Sequence, residues 1–263
     1  MPLKAFSHKA DFDFWENNWK VVLGNKSLPD YYLDFEKNLR IKKIFFEKYL
    51  SRKEKIIEGG CGLGVWVYLL GKMGYDIEGV DFAEETINFI KTNFPALPVK
   101  KGNILALEYP NSYFGAYISL GVLEHFEKGP LPALKEANRV LKEKGVIILS
   151  IPYFNFLRRT KNFFLPRKEK GEFYQYFYKS EEINHYLKQA GFRIIRSYPY
   201  NPAKCLRDEF LRKRERPGKV GRAVFKNEEK ISFFLIRTVI NSFIPRRIFA
   251  HSLMVVAEKN KYV

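Results

Sequence analysis

The sequence predicts an α/β protein whose mostly parallel sheet is covered by helices on both faces. From residue 55 onward, short apolar runs alternate with stretches of helical spacing, the rhythm of βαβ units. The runs AYISL and VIILSI are apolar throughout, as strands buried on both faces should be. A glycine-rich turn joins the first run to the first helical stretch, as in nucleotide-binding α/β folds.

The elements follow in order. Residues 1–54 read as an N-terminal helical cap, with FWENNWKVVL and DFEKNLRIKKIFFEKYL apolar at helical spacing. KIIE is a strand, and VWVYLLGKM a helix closed by Gly74. YDIEGVD is a strand, and AEETINFIKTNF a helix stopped by Pro95. LPVKKGN gives a short strand and FGAYISLG a longer one. PALKEANRVLKEKG is a helix with a glycine C-cap, and VIILSIP a strand. Residues 153–179 are aromatic and basic. SEEINHYLKQAG is a helix with Ser180 as N-cap, acids in its first turn and Gly191 at its end. FRIIRSY and SLMVVAEK are the last strands. Residues 55–198 and 251–260 thus make the α/β domain, and 199–250 an insertion.

Composition narrows the function. With 263 residues, 46% hydrophobic, 24 Phe and 16 Tyr, the chain has ample core and is not disordered. Forty-six Lys and Arg against 29 Asp and Glu give a net charge of +17, which suits an anionic partner such as nucleic acid, a membrane headgroup or a phosphorylated substrate. Residues 157–170 hold six basic against one acidic residue, and 204–222 eight against three. Two cysteines, at 61 and 205, make neither a disulfide framework nor a zinc site, and no metal is expected. The start MPLKAFSHKADFDFW has no apolar secretory core, and no run reaches the ~18 apolar residues of a spanning helix. A cytoplasmic protein is expected, and abundant Lys, Glu and Ile beside scarce Thr and Gln lean towards a thermophile.

The turn reads Glu58-Gly59-Gly60-Cys61-Gly62-Leu63-Gly64. A dinucleotide site asks for G-x-G-x-x-G, but Val65 stands where its third glycine belongs. The pattern acid-x-G-x-G-x-G is complete. It resembles the first motif of the class I S-adenosylmethionine (SAM) methyltransferases. Asp81 ends the second strand where this family's acid binds both ribose hydroxyls. Gly102-Asn103-Ile104 follows the third strand, where the family holds adenine and where Asp is more usual than Asn. Ser119-Leu120-Gly121-Val122-Leu123-Glu124-His125-Phe126 resembles its "LEH" signature. The resemblance covers about residues 50–155, 172–198 and the last strand. It implies a Rossmann-like seven-stranded sheet with its last strand antiparallel, SAM as cofactor, and cofactor contacts at Glu58, Gly59, Gly60, Cys61, Gly62, Gly64, Asp81, Phe82, Asn103, Ile104, Leu120 and Gly121.

Each element also has a plainer reading. A glycine turn can be only a tight turn, Asp81 with Glu84 can form a capping box, and Asn103 can be a turn residue.

Methyl transfer is an in-line displacement in which the enzyme mainly aligns the nucleophile. A hydroxyl acceptor gains from a general base, and His125 is the candidate, its alternative being a structural role. Glu124 either orients the loop or binds the SAM amine. The N/D-P-P-aromatic motif of many amine methyltransferases is absent, and neither cysteine is placed as a nucleophile for C5 methylation of cytosine. O-methylation of a small molecule or a glycan-type, lipid-linked acceptor is the expected activity. The alternatives are an RNA methyltransferase, for which no RNA-binding module is evident, and a non-catalytic basic module that binds membrane or nucleic acid on a relic fold. Tyr153, Tyr174, Tyr176 and Tyr178 are expected to wall the acceptor pocket, and Arg158 to receive an anionic group. Residues 231–244 are expected to form a lid or a membrane-interface element, giving peripheral membrane contact.

Overall fold

The computed structural model describes residues 2–7, 9–37, 46–166, 171–206, 209 and 245–260. The apolar stretch 231–244 lies outside the described residues. The chain opens with strand β1 (Leu3–Ser7) and helices α1 (Phe12–Leu23) and α2 (Leu28–Lys37). The α/β body runs β2 (Ile56–Gly59), α3 (Val65–Lys72), β3 (Ile77–Asp81), α4 (Glu84–Asn93), β4 (Val99–Lys101), β5 (Phe114–Leu120), α5 (Leu131–Val140) and β6 (Leu141–Pro152). Then come α6 (Phe156–Phe164), β7 (Glu172–Phe177), α7 (Ser180–Gln189), β8 (Phe192–Tyr200), α8 (Pro202–Leu206), α9 (Arg246–Phe249) and β9 (Ser252–Lys259).

Seven strands form one sheet in the order β4-β3-β2-β5-β6-β9-β8. The pairs from β4 to β6 are parallel, and β9 runs antiparallel between β6 and β8. This is the Rossmann-like sheet with an antiparallel final strand that the sequence predicts. Strand order reverses beside β2, so the loops after β2 and β5 open a crevice at the carboxyl edge.

The strand period of two divides the core between two faces. Ile147, Leu149, Val255 and Ala257 pack with Leu134 of α5 and with Ile183 and Leu187 of α7. Ile148, Met254 and Val256 face the other way, onto Trp66 and Leu70 of α3 and Ile87 and Ile90 of α4. Both faces are therefore dry, which is why these strands carry no polar alternation.

Four local expectations are corrected. Residues 3–7 form a strand, not part of a helical cap: β1 pairs antiparallel with β7 in a separate two-stranded sheet. Its partner lies about 170 residues away, and five residues carry no local sign of such pairing. Helix α5 stops at Val140, because Leu141 pairs with Phe114 and already belongs to β6. The left-handed residue after it is Lys144 (φ 60°), not Gly145. Helix α7 begins with Ser180 itself, and its cap is Lys179, whose N–H donates to Glu182 Oε2 at 2.9 Å.

Beyond β6, Asn155 joins three elements. Its Oδ1 caps α6 by accepting from Arg158 N at 2.8 Å, and its Nδ2 donates to the Ala250 carbonyl at 2.7 Å. Arg158 is 3% exposed and donates inward throughout. Nε reaches Glu209 Oε1 at 3.1 Å, and Nη1 reaches the carbonyls of Tyr153 and His251 at 2.8 and 2.9 Å. Lys161 Nζ adds a bond to Glu209 Oε2 at 2.7 Å. The Arg158–Glu209 pair is buried on both sides, so removing one partner strands the other's charge. Glu209→Ala is expected to lower unfolding stability by about 3 kcal/mol, and Lys161→Ala by no more than about 1 kcal/mol, in urea titrations.

Candidate active site

The site grows from the turn after β2. Gly60, Gly62 and Gly64 all take positive φ, at 76°, 51° and 71°, and each is in close contact with another element. A Cβ on Gly60 would come within 2.5 Å of Val122 Cγ2, and one on Gly64 within 2.8 Å of Leu97 Cδ2. On Gly59 it would overlap the Tyr117 hydroxyl, and on Gly62 the Trp19 ring. The loop is stitched to β3: the N–H groups of Gly60 and Cys61 donate to the Val80 carbonyl at 2.8 and 3.1 Å.

Asp81 completes that seam. Its Oδ2 accepts from Gly62 N at 2.7 Å and its Oδ1 from Ala83 N at 3.0 Å. This is not the capping box with Glu84: the N-cap of α4 is Ala83. Burial raises the Asp81 carboxyl above its ordinary value, opposed by the backbone N–H bonds. A carboxylate offers about four acceptor sites, so each oxygen keeps capacity for a hydroxyl.

Beside Asp81, Phe82 is exposed, while Ile104 is buried against Gly59. Asn103 Oδ1 accepts from Leu105 N at 2.9 Å, an Asx turn that shapes the adjoining loop. Glu58 is buried at the end of β2. Cys61 is a buried thiol, pushed up by burial first and then by the charges of Asp81 and Glu58.

Opposite, the end of β5 turns through Gly121 (φ 78°), whose N–H donates to the Ser150 carbonyl at 2.9 Å. Leu120 packs at the edge of the apolar core. The next turn, Leu123–His125, presents two titratable groups. Glu124 is 3% exposed, and its Oε2 has no hydrogen-bond partner among the described residues. Burial pushes its carboxyl up to about 8, with Lys204 opposing. His125 Nδ1 lies 2.7 Å from the Tyr174 carbonyl and so carries the proton, leaving Nε2 as the lone-pair nitrogen. Nε2 stands 4.0 Å from Glu124 Oε1. Burial pulls the imidazole down to about 4, so it is neutral at pH 7.

The aromatic wall is divided. Tyr174 touches His125 edge to face, with ring centroids 5.0 Å apart. Tyr176 turns its hydroxyl to the Glu127 carbonyl at 2.8 Å, and Tyr178 is fully buried. Tyr153 forms a bridge with Tyr178, and Arg158 is committed to the internal network described above. The structure thus brings Tyr174 to the site, and places Tyr176, Tyr178 and Arg158 behind it.

The sequence reading missed α1. Trp15 meets His125 at 4.9 Å and 81°, and Trp19 lies on Gly62. Their i, i+4 spacing on one helical face was a usable signal.

This donor set fits SAM. A sulfonium and an ammonium suit a cleft whose buried side chains are acids, here Glu58, Asp81 and Glu124, in a chain otherwise strongly basic. Ser119 Oγ, Tyr117 Oη and Glu124 Oε2 are buried there without hydrogen-bond partners among the described residues, as polar atoms awaiting a ligand would be.

The comparisons agree. Residues 33–197 match the family model described as "Methyltransferase domain", and the chain belongs to this family. A probable S-adenosylmethionine-dependent methyltransferase of Mycolicibacterium smegmatis is 24% identical over 53% of this chain and 52% of its own length. The chain thus spans about half of the mycobacterial relatives it matches. The demethylmenaquinone methyltransferase of Staphylococcus aureus is 26% identical over 59% of this chain and 74% of its own. Among solved structures, a Haloferax volcanii putative methyltransferase, in complex with the activator Trm112, has TM-score 0.61 at 14% identity, covering 98% of this chain and 99% of that one. A SAM-dependent methyltransferase of Methanosarcina mazei has TM-score 0.56 at 18% identity, covering 82% and 97%. These two show the shared fold.

Two outcomes test the site. Gly59→Ala forces a Cβ into Tyr117 and is expected to cost about 1–3 kcal/mol of stability by thermal melting, with the Gly59→Ala, Tyr117→Phe double variant partly restored. Glu124 titrates near 4.5 when unfolded and at about 8 when folded. Its raised value stabilises the fold fully below pH 4.5, and that contribution is lost as pH rises to about 8. Glu124→Gln is therefore expected to gain roughly 2–4 kcal/mol relative to the wild type between pH 5 and 8.5, measured by urea unfolding.

Proposed function

We propose that this protein transfers the methyl group of SAM to a hydroxyl on a small-molecule or glycan-type acceptor, itself lipid-linked. When bound, SAM supplies a carbon already activated by its sulfonium. The chain's own residues then have three tasks: to hold the donor, to align the acceptor and to take up the hydroxyl proton.

The observation that carries the reading is His125. Its Nδ1–H is fixed on the Tyr174 carbonyl, so Nε2 is the acceptor at the carboxyl edge of β5. With its titration near 4 the imidazole is unprotonated at neutral pH and ready to receive the proton as the new O–C bond forms. Glu124, 4.0 Å from Nε2, favours the resulting imidazolium once it is ionised, and a cationic donor beside it favours that ionisation.

A lipid-linked acceptor is supported by the surface of α6. Phe156, Phe163, Phe164 and Leu165 are 61–79% exposed, in the basic segment 157–170. Such a face suits the interface of an anionic membrane, where a lipid-linked acceptor resides. The Staphylococcus relative named for demethylmenaquinone is consistent with a quinone as the acceptor ring. Among the described residues no helix is long and apolar enough to cross a membrane.

The test uses methyl-labelled SAM with a panel of quinols, sugars, lipid-linked glycans and RNA. Label is expected on a hydroxyl acceptor. His125→Ala is expected to lower turnover by about 10²–10⁴-fold while SAM affinity measured by calorimetry stays within about twofold. Labelling of RNA alone, or unchanged turnover in His125→Ala, overturns the reading.

A further inference from the structure

Helix α1 is held over the candidate site by a buried acid. Glu16 is 5% exposed, and its carboxylate accepts three hydrogen bonds from the first turn of α4. Oε1 accepts from Glu85 N at 2.9 Å, and Oε2 from Thr86 N at 3.1 Å and Thr86 Oγ1 at 2.9 Å. These donors are the orphan N–H groups of a helix start whose own N-cap, Ala83, has no side chain to satisfy them. Lys20 adds an exposed pair with Glu85 at 2.8 Å. The turn of α4 used in this way begins three residues after Asp81, so the latch fixes α1 relative to that acid.

What the latch seats is aromatic. One turn either side of it, Trp15 and Trp19 stack with centroids 5.6 Å apart at 30°. Trp19 lies on Gly62, the residue whose N–H holds Asp81 Oδ2. Trp15 lies on His125, and Phe14 on Tyr174 at 5.6 Å. One helix therefore touches the glycine loop, the candidate base and the aromatic wall together. Both tryptophans are only partly buried. An indole face also attracts a sulfonium or ammonium.

We propose that α1 completes the SAM site: Trp19 is a cofactor-contacting residue that closes over the glycine loop, Trp15 bounds the acceptor side at His125, and Glu16 is the positioning residue that seats both. The inference rests on the SAM reading above and adds residues that lie outside its motifs. It requires α1 to release for SAM to enter and to reseat on Glu16 afterwards, excluding water from the transfer.

The test reads binding and not turnover. Calorimetry with SAM and with its demethylated product compares the wild type with Trp19→Ala, Trp19→Phe, Glu16→Gln, Lys20→Ala and Asp81→Ala. Trp19→Ala and Glu16→Gln are expected to weaken both ligands about tenfold, and Trp19→Phe and Lys20→Ala to stay within about threefold. The unsubstituted chain provides a second readout. Its third tryptophan, Trp66, is 7% exposed in the core, so acrylamide quenching reports mainly Trp15 and Trp19. Saturating SAM is expected to reduce that quenching at least twofold. Wild-type affinity in both Trp19→Ala and Glu16→Gln, tighter binding in Trp19→Ala, or unchanged quenching at saturation would each overturn the proposal. Loss of binding in Asp81→Ala alone would leave the cofactor reading standing without α1. A wild type that binds neither ligand would overturn both.

Discussion

The structure depends on one constraint: between Gly59 and Gly64 the backbone must pass where side chains cannot fit. Tyr117 rises against Gly59 from below, Val122 meets Gly60 from the β5 side, and Trp19 meets Gly62 from α1. Three elements distant in sequence converge on four residues of main chain. Because the loop has no side chains of its own at these points, its N–H groups are free to bind neighbours. Gly60 and Cys61 donate to Val80, and Gly62 donates to Asp81. The same approach that admits these neighbours would admit a ligand lying along the loop.

Charge is distributed in opposition. The chain carries +17, yet the buried groups around the loop are Glu58, Asp81, Glu124 and, beneath α1, Glu16. Glu16 and Asp81 are held by several backbone donors each, while Glu124 has few and titrates highest, at about 8. Glu124 is therefore the carboxylate whose state responds most to an arriving cation. His125 beside it is displaced the other way by the same burial. A carboxyl raised and an imidazole lowered at 4.0 Å form a pair whose proton inventory a charged ligand can change.

Much of this was legible from residues alone. The glycine spacing, Asp81 at the end of the next strand and the LEH turn after β5 are local signals tied to backbone geometry, and the structure brings them together at one edge. The boundaries that misled were those set from a distance. A glycine at 145 suggests a helix end, but pairing with Phe114 starts β6 at Leu141, before the glycine is reached. Tyr174, Tyr176 and Tyr178 look equivalent in a run of aromatics. Only the pairing of β7 with β1 and its packing decide that Tyr174 meets His125 while Tyr178 is enclosed.

The sequence by itself determined the parallel sheet, the antiparallel closing strand, the loop and its acid, because strand period and glycine spacing are short-range properties of the chain. Tertiary structure alone decided what stands around them. Arg158 looks like an anion receptor in a basic run, and becomes half of a buried pair because Glu209, 51 residues on, folds against it. Glu16 looks like a surface residue of an amphipathic helix, and becomes the cap of another helix 69 residues away. Both outcomes have the same physical origin: a buried charge takes whatever partner the fold brings to it, and the chain does not write that partner beside it.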